Sequence, residues 1–367
     1  MSNVLKYYDY LHTIPEPAFE EVKTSKFLGD KLEEFGYEVH RNIDGQTGVV
    51  GIYDSGVPGP VVAIRADMDS LVHIIDGKTC ARHTCGHDGH SSVVLSVAEI
   101  LKETKAVKKG KVKIIFQPAE ETCGGAESII AGGFIDDVDY IFGSHVRPEE
   151  ELKDGQATAA VYYSASNHAL ATIHGKPAHG ARPHLGINAV DAGTAAVVAV
   201  NTIHLSPNAV YSVKPTRFVC DSGVRNAIPD KAELVWDLRS QENATMDQLK
   251  EKVTTAVLNA VAAVGATVDF EITKGVPAAE YSEECKEILA KSIVEVLGED
   301  GLVPKITTPG GEDFFYYVKY KPSIKAGFFG LGCGLTPGLH HPDMHFNKAS
   351  LANGVKIFLA TLRQLVG

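Results

Sequence analysis

Val61-Val62-Ala63-Ile64-Arg65-Ala66-Asp67-Met68-Asp69 passes from a short apolar run straight into two carboxylates. The apolar part predicts a buried strand over 61–64, and its abrupt polar end predicts an edge that faces a ligand. Two later stretches repeat the pattern. Val112-Lys113-Ile114-Ile115-Phe116 leads into Gln117-Pro118-Ala119-Glu120-Glu121, and Tyr140-Ile141-Phe142-Gly143-Ser144 ends in His145. Residues 25–35 and 91–102 carry apolar side chains at helical spacing. Strands alternating with helices predict an α/β fold on a mostly parallel, mixed sheet, where ligands sit beyond the carboxyl ends of the strands.

Downstream of the first strand, His83-Thr84-Cys85-Gly86-His87-Asp88-Gly89-His90 packs a thiol, three imidazoles and a carboxylate among small residues. Cys and His are the ligands preferred by a borderline-soft cation such as zinc.

The middle of the chain changes character. Strand patterns over 169–174, 210–219, 233–239 and 267–272 are interleaved with helical patterns over 187–203 and 246–264. The order β-α-β-β-α-β is that of a ferredoxin-like α+β unit. We therefore expect an inserted domain at 166–277, bounded by Ser164-Ala165-Ser166-Asn167 and Val276-Pro277. The host domain would comprise 1–165 and 278–367, the latter with helices over 283–297 and 349–366 and a strand over 326–331. Its loops Pro309-Gly310-Gly311-Glu312-Asp313-Phe314 and Gly338-Leu339-His340-His341-Pro342 are rich in groups able to do chemistry.

Composition narrows the function. With 46 acidic against 35 basic residues and a net charge of -11, the chain offers no basic surface for nucleic acid or an anionic membrane. Its apolar runs are too short to span a bilayer, and the first residues lack the pattern of a secretory signal. Six cysteines scattered over 367 residues fit a reduced, cytoplasmic protein better than a disulfide framework.

Taken together, these motifs resemble the M20 family of metallopeptidases and amidohydrolases. The similarity is to its aminoacylase-like branch of hippurate hydrolases, N-acyl-amino-acid amidohydrolases and auxin-conjugate hydrolases. The resemblance runs through Leu11-His12, Pro15-Glu16, Phe19-Glu20-Glu21, Arg65 to Asp69, Cys85 to His90, Phe116 to Glu121 and Gly143 to Val146. It continues with Gly175 to His179, Asn226, Ile228-Pro229, Gly311 to Phe314 and Leu339 to Pro342. It implies a zinc-peptidase-like domain interrupted by a lid that mediates homodimerisation. It also implies hydrolysis of N-acyl amino acids or related small amides.

Amide hydrolysis at neutral pH needs hydroxide, which a bound cation provides by lowering the pKa of water to about 7. The resemblance implies two divalent cations held by Cys85, His87, Glu121, His145 and His340. Zinc comes first, with manganese, cobalt or nickel as alternatives. It makes Glu120 the general base, because adjacent buried carboxylates coexist when a cation neutralises one of them. His90 and His341 compete with His87 and His340 for the ligand positions, and Asp67 and Asp88 are candidates to orient imidazoles. In the lid, His179 would stabilise the developing oxyanion, from its own subunit or a partner. Asn226 and Arg239 would hold the substrate's free carboxylate, although a surface ion pair is an equal reading of Arg239.

The chain departs from the branch between Asp69 and His83, where Leu-Pro after Met-Asp is missing, and at Arg225, where a small residue is usual. Competing readings are a metal-dependent dipeptidase or carboxypeptidase, a cysteine hydrolase using Cys85, and a non-catalytic binding protein on the same scaffold.

Overall fold

The structure, a computed structural model, describes residues 3–367. They fall into two units, one of 3–162, 280–307 and 313–367 and the other of 163–279 and 308–312.

The first unit is built on an 8-stranded mixed sheet. Its centre is the strand Val61–Asp67, flanked in parallel by Lys111–Gln117 and Tyr140–Pro148, with Lys325–Leu335 parallel beyond the latter. Val62, Ile64 and Ala66 share one hydrophobic cluster with Val93 and Val97 of the helix His87–Thr104, and with Leu289, Val355 and Phe358 of later helices. The alternate residues Ala63, Arg65 and Asp67 point to the opposite face and are equally buried. This two-sided burial explains why the strand reads as continuously apolar. Its parallel neighbours then align the chemistry, since Asp67 stands level with Gln117, and His145 with Gly330.

Several boundaries differ from the sequence expectation. The strand from Val61 runs on to Asp67, because Arg65 and Asp67 find buried partners and need no solvent. The strand from Tyr140 continues past His145 to Pro148, held by pairing of Val146 and Arg147 with Leu331 and Gly332. The helix expected from Ser91 begins at His87. Its first turn is polar yet buried, so apolar periodicity could not reveal it. Antiparallel strands Glu38–Arg41 and Val49–Asp54 extend one edge of the sheet, and Leu71–Ile75 pairs with Lys78–Arg82 as a separate hairpin.

The second unit is a 4-stranded antiparallel sheet in the order Tyr211–Cys220, Lys231–Ser240, Ala165–His174, Thr267–Ile272. With helices Ala189–Asn201 and Asn243–Ala263, the connectivity is ferredoxin-like. Leu249, Val253, Val257 and Val261 repeat every fourth residue along the longer helix and are fully buried with Trp236. Each such side chain contributes about 1.5–3 kcal/mol by leaving water. No helix among the described residues is long and apolar enough to cross a membrane.

Candidate metal centre

The start of the helix His87–Thr104, the strands Lys111–Gln117 and Tyr140–Pro148, and the loop after Lys325–Leu335 bring Cys85, His87, Glu120, Glu121, His145 and His340 to one place. Gly86 makes the approach of the first two possible. Its φ of 88° is left-handed, and a Cβ there would stand 2.5 Å from Val146 Cγ2. The chain therefore turns sharply after Cys85 and starts the helix at His87.

Cys85 Sγ lies 3.4 Å from His145 Nε2 and 3.4 Å from His340 Nε2. His340 Nε2 is 3.5 Å from Glu121 Oε2, while His87 Nε2 is 3.8 Å from Glu121 Oε1 and 4.0 Å from Glu120 Oε2. Several donor groups result, and two of them, Cys85 with His87 and His145, and Cys85 with Glu121 and His340, each within 4.8 Å, share the thiol. The donor set suits a borderline-soft divalent cation. A second observation agrees: His87 Nε2 and Glu121 Oε1 are buried with no hydrogen-bond partner. Buried polar atoms are rarely left this way, and a cation between them would satisfy both.

Supporting contacts hold these side chains. Asp69 Oδ1 accepts from His87 Nδ1 at 3.0 Å, and Oδ2 accepts the Glu121 backbone N–H at 3.0 Å. His145 Nδ1 donates to Val146 O at 2.5 Å, which turns Nε2 toward the thiol. His90 has both nitrogens engaged, Nδ1 with Asp67 at 2.6 Å and Nε2 with the Val146 N–H at 2.9 Å. His341 Nδ1 takes the Asp343 N–H at 3.1 Å. Asp67 and Asp88 do orient imidazoles, but those of His90 and His12. The carboxylate that reaches His87 Nδ1 is Asp69, which sequence reasoning passed over. The available signal was its spacing from Asp67, since strand alternation sends residues two apart the same way.

Electrostatics fit a site that expects positive charge. Burial and the Glu121 carboxylate push the Cys85 thiol well up. Burial, with His90 and Arg147, holds His145 well below the ordinary histidine value. Burial also opposes charge on His87, but Asp67 and the Cys85 sulfur outweigh it and raise it well above. Glu120 is nearly buried, and its Oε1 accepts the Asp313 N–H at 3.4 Å.

The remaining predicted residues belong to the second unit. His179 is exposed, stands opposite Ala227 in a two-stranded ladder, and accepts the Ala181 N–H at its Nδ1. Asn226 precedes Ala227, and its carbonyl takes the Gly180 N–H at 2.7 Å. Arg239 lies on the strand Lys231–Ser240, half-buried, its Nε 3.1 Å from Asp237 Oδ2.

Fold and site together define a metal-dependent hydrolase. The chain belongs to peptidase family M20/M25/M40, whose sequence profile matches residues 63–364. It is 30% identical over 373 residues to an N-acetylcysteine deacetylase of Bacillus subtilis, covering 95% of this chain and 93% of that protein. It is also 30% identical over 329 residues to the IAA-amino acid hydrolase ILR1-like 5 of Arabidopsis thaliana, covering 85% and 74%. Among solved structures, a dinuclear metal binding peptidase of the M20 family from Bacillus subtilis superposes with a TM-score of 0.83 at 26% identity, covering 99% and 98%. The protein is thus an enzyme of the amidohydrolase kind, acting on amide bonds with the help of metal.

Proposed function

We propose that the protein hydrolyses the amide bond of small N-acyl amino acids, with Glu120 as general base. Two divalent cations, zinc by preference and manganese, cobalt or nickel as substitutes, would be held by Cys85, His87, Glu121, His145 and His340. The observation that carries the reading is the shared thiol. Cys85 Sγ belongs to two donor groups at once, which suits a pair of cations rather than one. Divalent cations held there lower the pKa of a nearby water to about 7 and polarise the scissile carbonyl.

The chain's own residues supply the rest. Glu120 takes the proton from the attacking water and carries it to the leaving nitrogen. Its contact with the Asp313 N–H leaves the second oxygen, 4.0 Å from His87 Nε2, facing the donor cluster. His179, from its own subunit or a partner, would donate a hydrogen bond to the developing oxyanion, and Asn226 and Arg239 would hold the free carboxylate. Arg239 already pairs with Asp237, so a substrate carboxylate must share or displace that partner.

The domains are read as 1–165 with 278–367 for catalysis and 166–277 for the lid. A homodimer through the lid fits its exposed apolar residues, among them Val198, Val210 and Val219. Free cysteines at all six positions suit a cytoplasmic location. The test is metal analysis of purified protein followed by a screen of N-acetyl, N-benzoyl and aryl-acyl amino acids. Two equivalents of metal, with turnover abolished by chelation and restored by zinc or manganese, are expected. Turnover that survives chelation, or none with any added metal, would overturn the reading.

A further inference from the structure

Glu21 lies far from the donor groups in sequence and belongs to none of them. Its carboxyl is completely buried at the entrance of the helix Val22–Glu34. One oxygen, Oε1, accepts the Ala119 backbone N–H at 2.9 Å, and the other accepts the Thr47 hydroxyl. Ala119 is the residue just before Glu120, and its φ of 51° places a side-chain-bearing residue in the left-handed region. Such a conformation persists where surrounding contacts impose it. Here the Ala119 carbonyl closes a turn by accepting the Gly124 and Gly125 N–H groups at 3.2 Å each. Gly125 passes so close to this turn that a Cβ there would stand 1.5 Å from Pro118 O, so the position admits only glycine.

Glu120 is therefore bracketed. The N–H before it is held by Glu21, and the N–H after it, that of Glu121, is held by Asp69. A carboxylate is the strongest acceptor a side chain offers to a backbone N–H, so both anchors are stiff. We infer that Glu21 is a positioning residue for the general base, fixing through Ala119 the turn that aims the Glu120 carboxylate. The inference rests on the assignment of Glu120 given above. It accounts for a buried acid at a place where an apolar residue would fill the same volume.

The test uses the metal-loaded enzyme and the N–acyl amino acid it turns over best. Glu21→Leu removes the acceptor while filling the space. It should lower kcat about 10- to 100-fold with KM and metal content little changed, the scale of loss seen when groups supporting a site are removed. Glu21→Gln keeps an acceptor for Ala119, and its amide can donate to Thr47, so it should restore most of kcat. Adding Ala119→Gly to Glu21→Leu should recover part of the loss, because glycine takes a positive φ unaided. Should Glu21→Leu not fold, Glu21→Asp withdraws the acceptor by one methylene and should show the same kcat loss.

Unchanged kcat in Glu21→Leu or Glu21→Asp would overturn the inference, as would metal loss in step with activity. Equal losses in Glu21→Gln and Glu21→Leu would do so too, since they would point to charge rather than to the hydrogen bond. Glu120→Gln run alongside separates the two levels. If it keeps full turnover, the base assignment falls and this inference with it. If it loses turnover while the Glu21 variants do not, only the role of Glu21 falls.

Discussion

Asp69 Oδ1 lies 3.0 Å from His87 Nδ1, and the other oxygen of the same carboxylate holds the Glu121 backbone. One side chain therefore ties His87, the ligand proposed at the start of a helix, to Glu121, the ligand proposed after the strand Lys111–Gln117. It fixes the His87 tautomer with Nε2 free to coordinate. Asp69→Asn preserves the volume but turns one acceptor into a donor, facing either an imidazole N–H or a backbone N–H. Metal affinity should fall about 10- to 100-fold, measured by competition with a chromogenic chelator. Wild-type affinity in this variant would mean that His87 is oriented by something else.

Glu120→Gln tests the base directly. The amide still accepts the Asp313 N–H, so the turn and the cations should stay in place. It cannot accept the water proton, and kcat should fall about 10²- to 10⁴-fold with metal stoichiometry unchanged. Near-normal kcat would remove Glu120 from the chemistry.

How far the chain could be read follows from where its signals lie. Apolar runs mark the strands, so Glu120, Glu121 and His145 were legible as neighbours, each at or near the end of such a run. The longer helix of the second unit was legible because Leu249, Val253, Val257 and Val261 repeat at helical spacing around a buried core. His340 was reachable only through resemblance. It sits in a loop with a φ of 64°, and no periodicity announces a loop. The start of the helix at His87 was hidden because its first turn is buried through polar contacts. Asp69 could be aligned with Asp67 by strand alternation, but the partners of Asp69 and Glu21 could not be read from the sequence. Each acts on a backbone N–H about 50 to 100 residues away, and only tertiary structure makes such pairs.

Arg65 is almost fully buried between Asp67, at 2.7 Å, and Asp313, at 2.7 Å, with its Nε on Gln117. Burial pushes the Asp313 carboxyl up to about 6, even though Arg65 works against that rise. Arg65→Met would leave two carboxylates without their cation beneath the site. The expected loss is about 3–5 kcal/mol, measured by urea unfolding, since removing one member of a buried pair strands the other. A loss below about 1 kcal/mol, the scale of an exposed pair, would show that water compensates.

Gly86→Ala should separate geometry from chemistry. The new Cβ would meet Val146 at 2.5 Å, and the φ of 88° disfavours any side chain. Overpacking and strain at such a position cost about 1–3 kcal/mol each. Thermal unfolding should register that loss, and metal affinity should fall with it, because Cys85 and His87 flank the glycine. Full stability with full metal affinity would show that the turn has slack.

His12 offers a pH-dependent reading of the same region. Its Nδ1 lies 2.7 Å from the buried Asp88 carboxylate, and that hydrogen bond raises His12 above 6.5. Partial burial and Lys348 oppose the rise, while Asp9 adds to it. A raised histidine stabilises the fold below its unfolded pKa, and the contribution fades as pH rises through the folded value. The His12 ring protons should therefore titrate above 6.5 by NMR, and Asp88→Asn should bring the midpoint down. His12→Gln should cost most stability at mildly acidic pH and least at alkaline pH. A penalty that grows with pH instead would mean that His12 is neutral in the fold and that Asp88 is held by another donor.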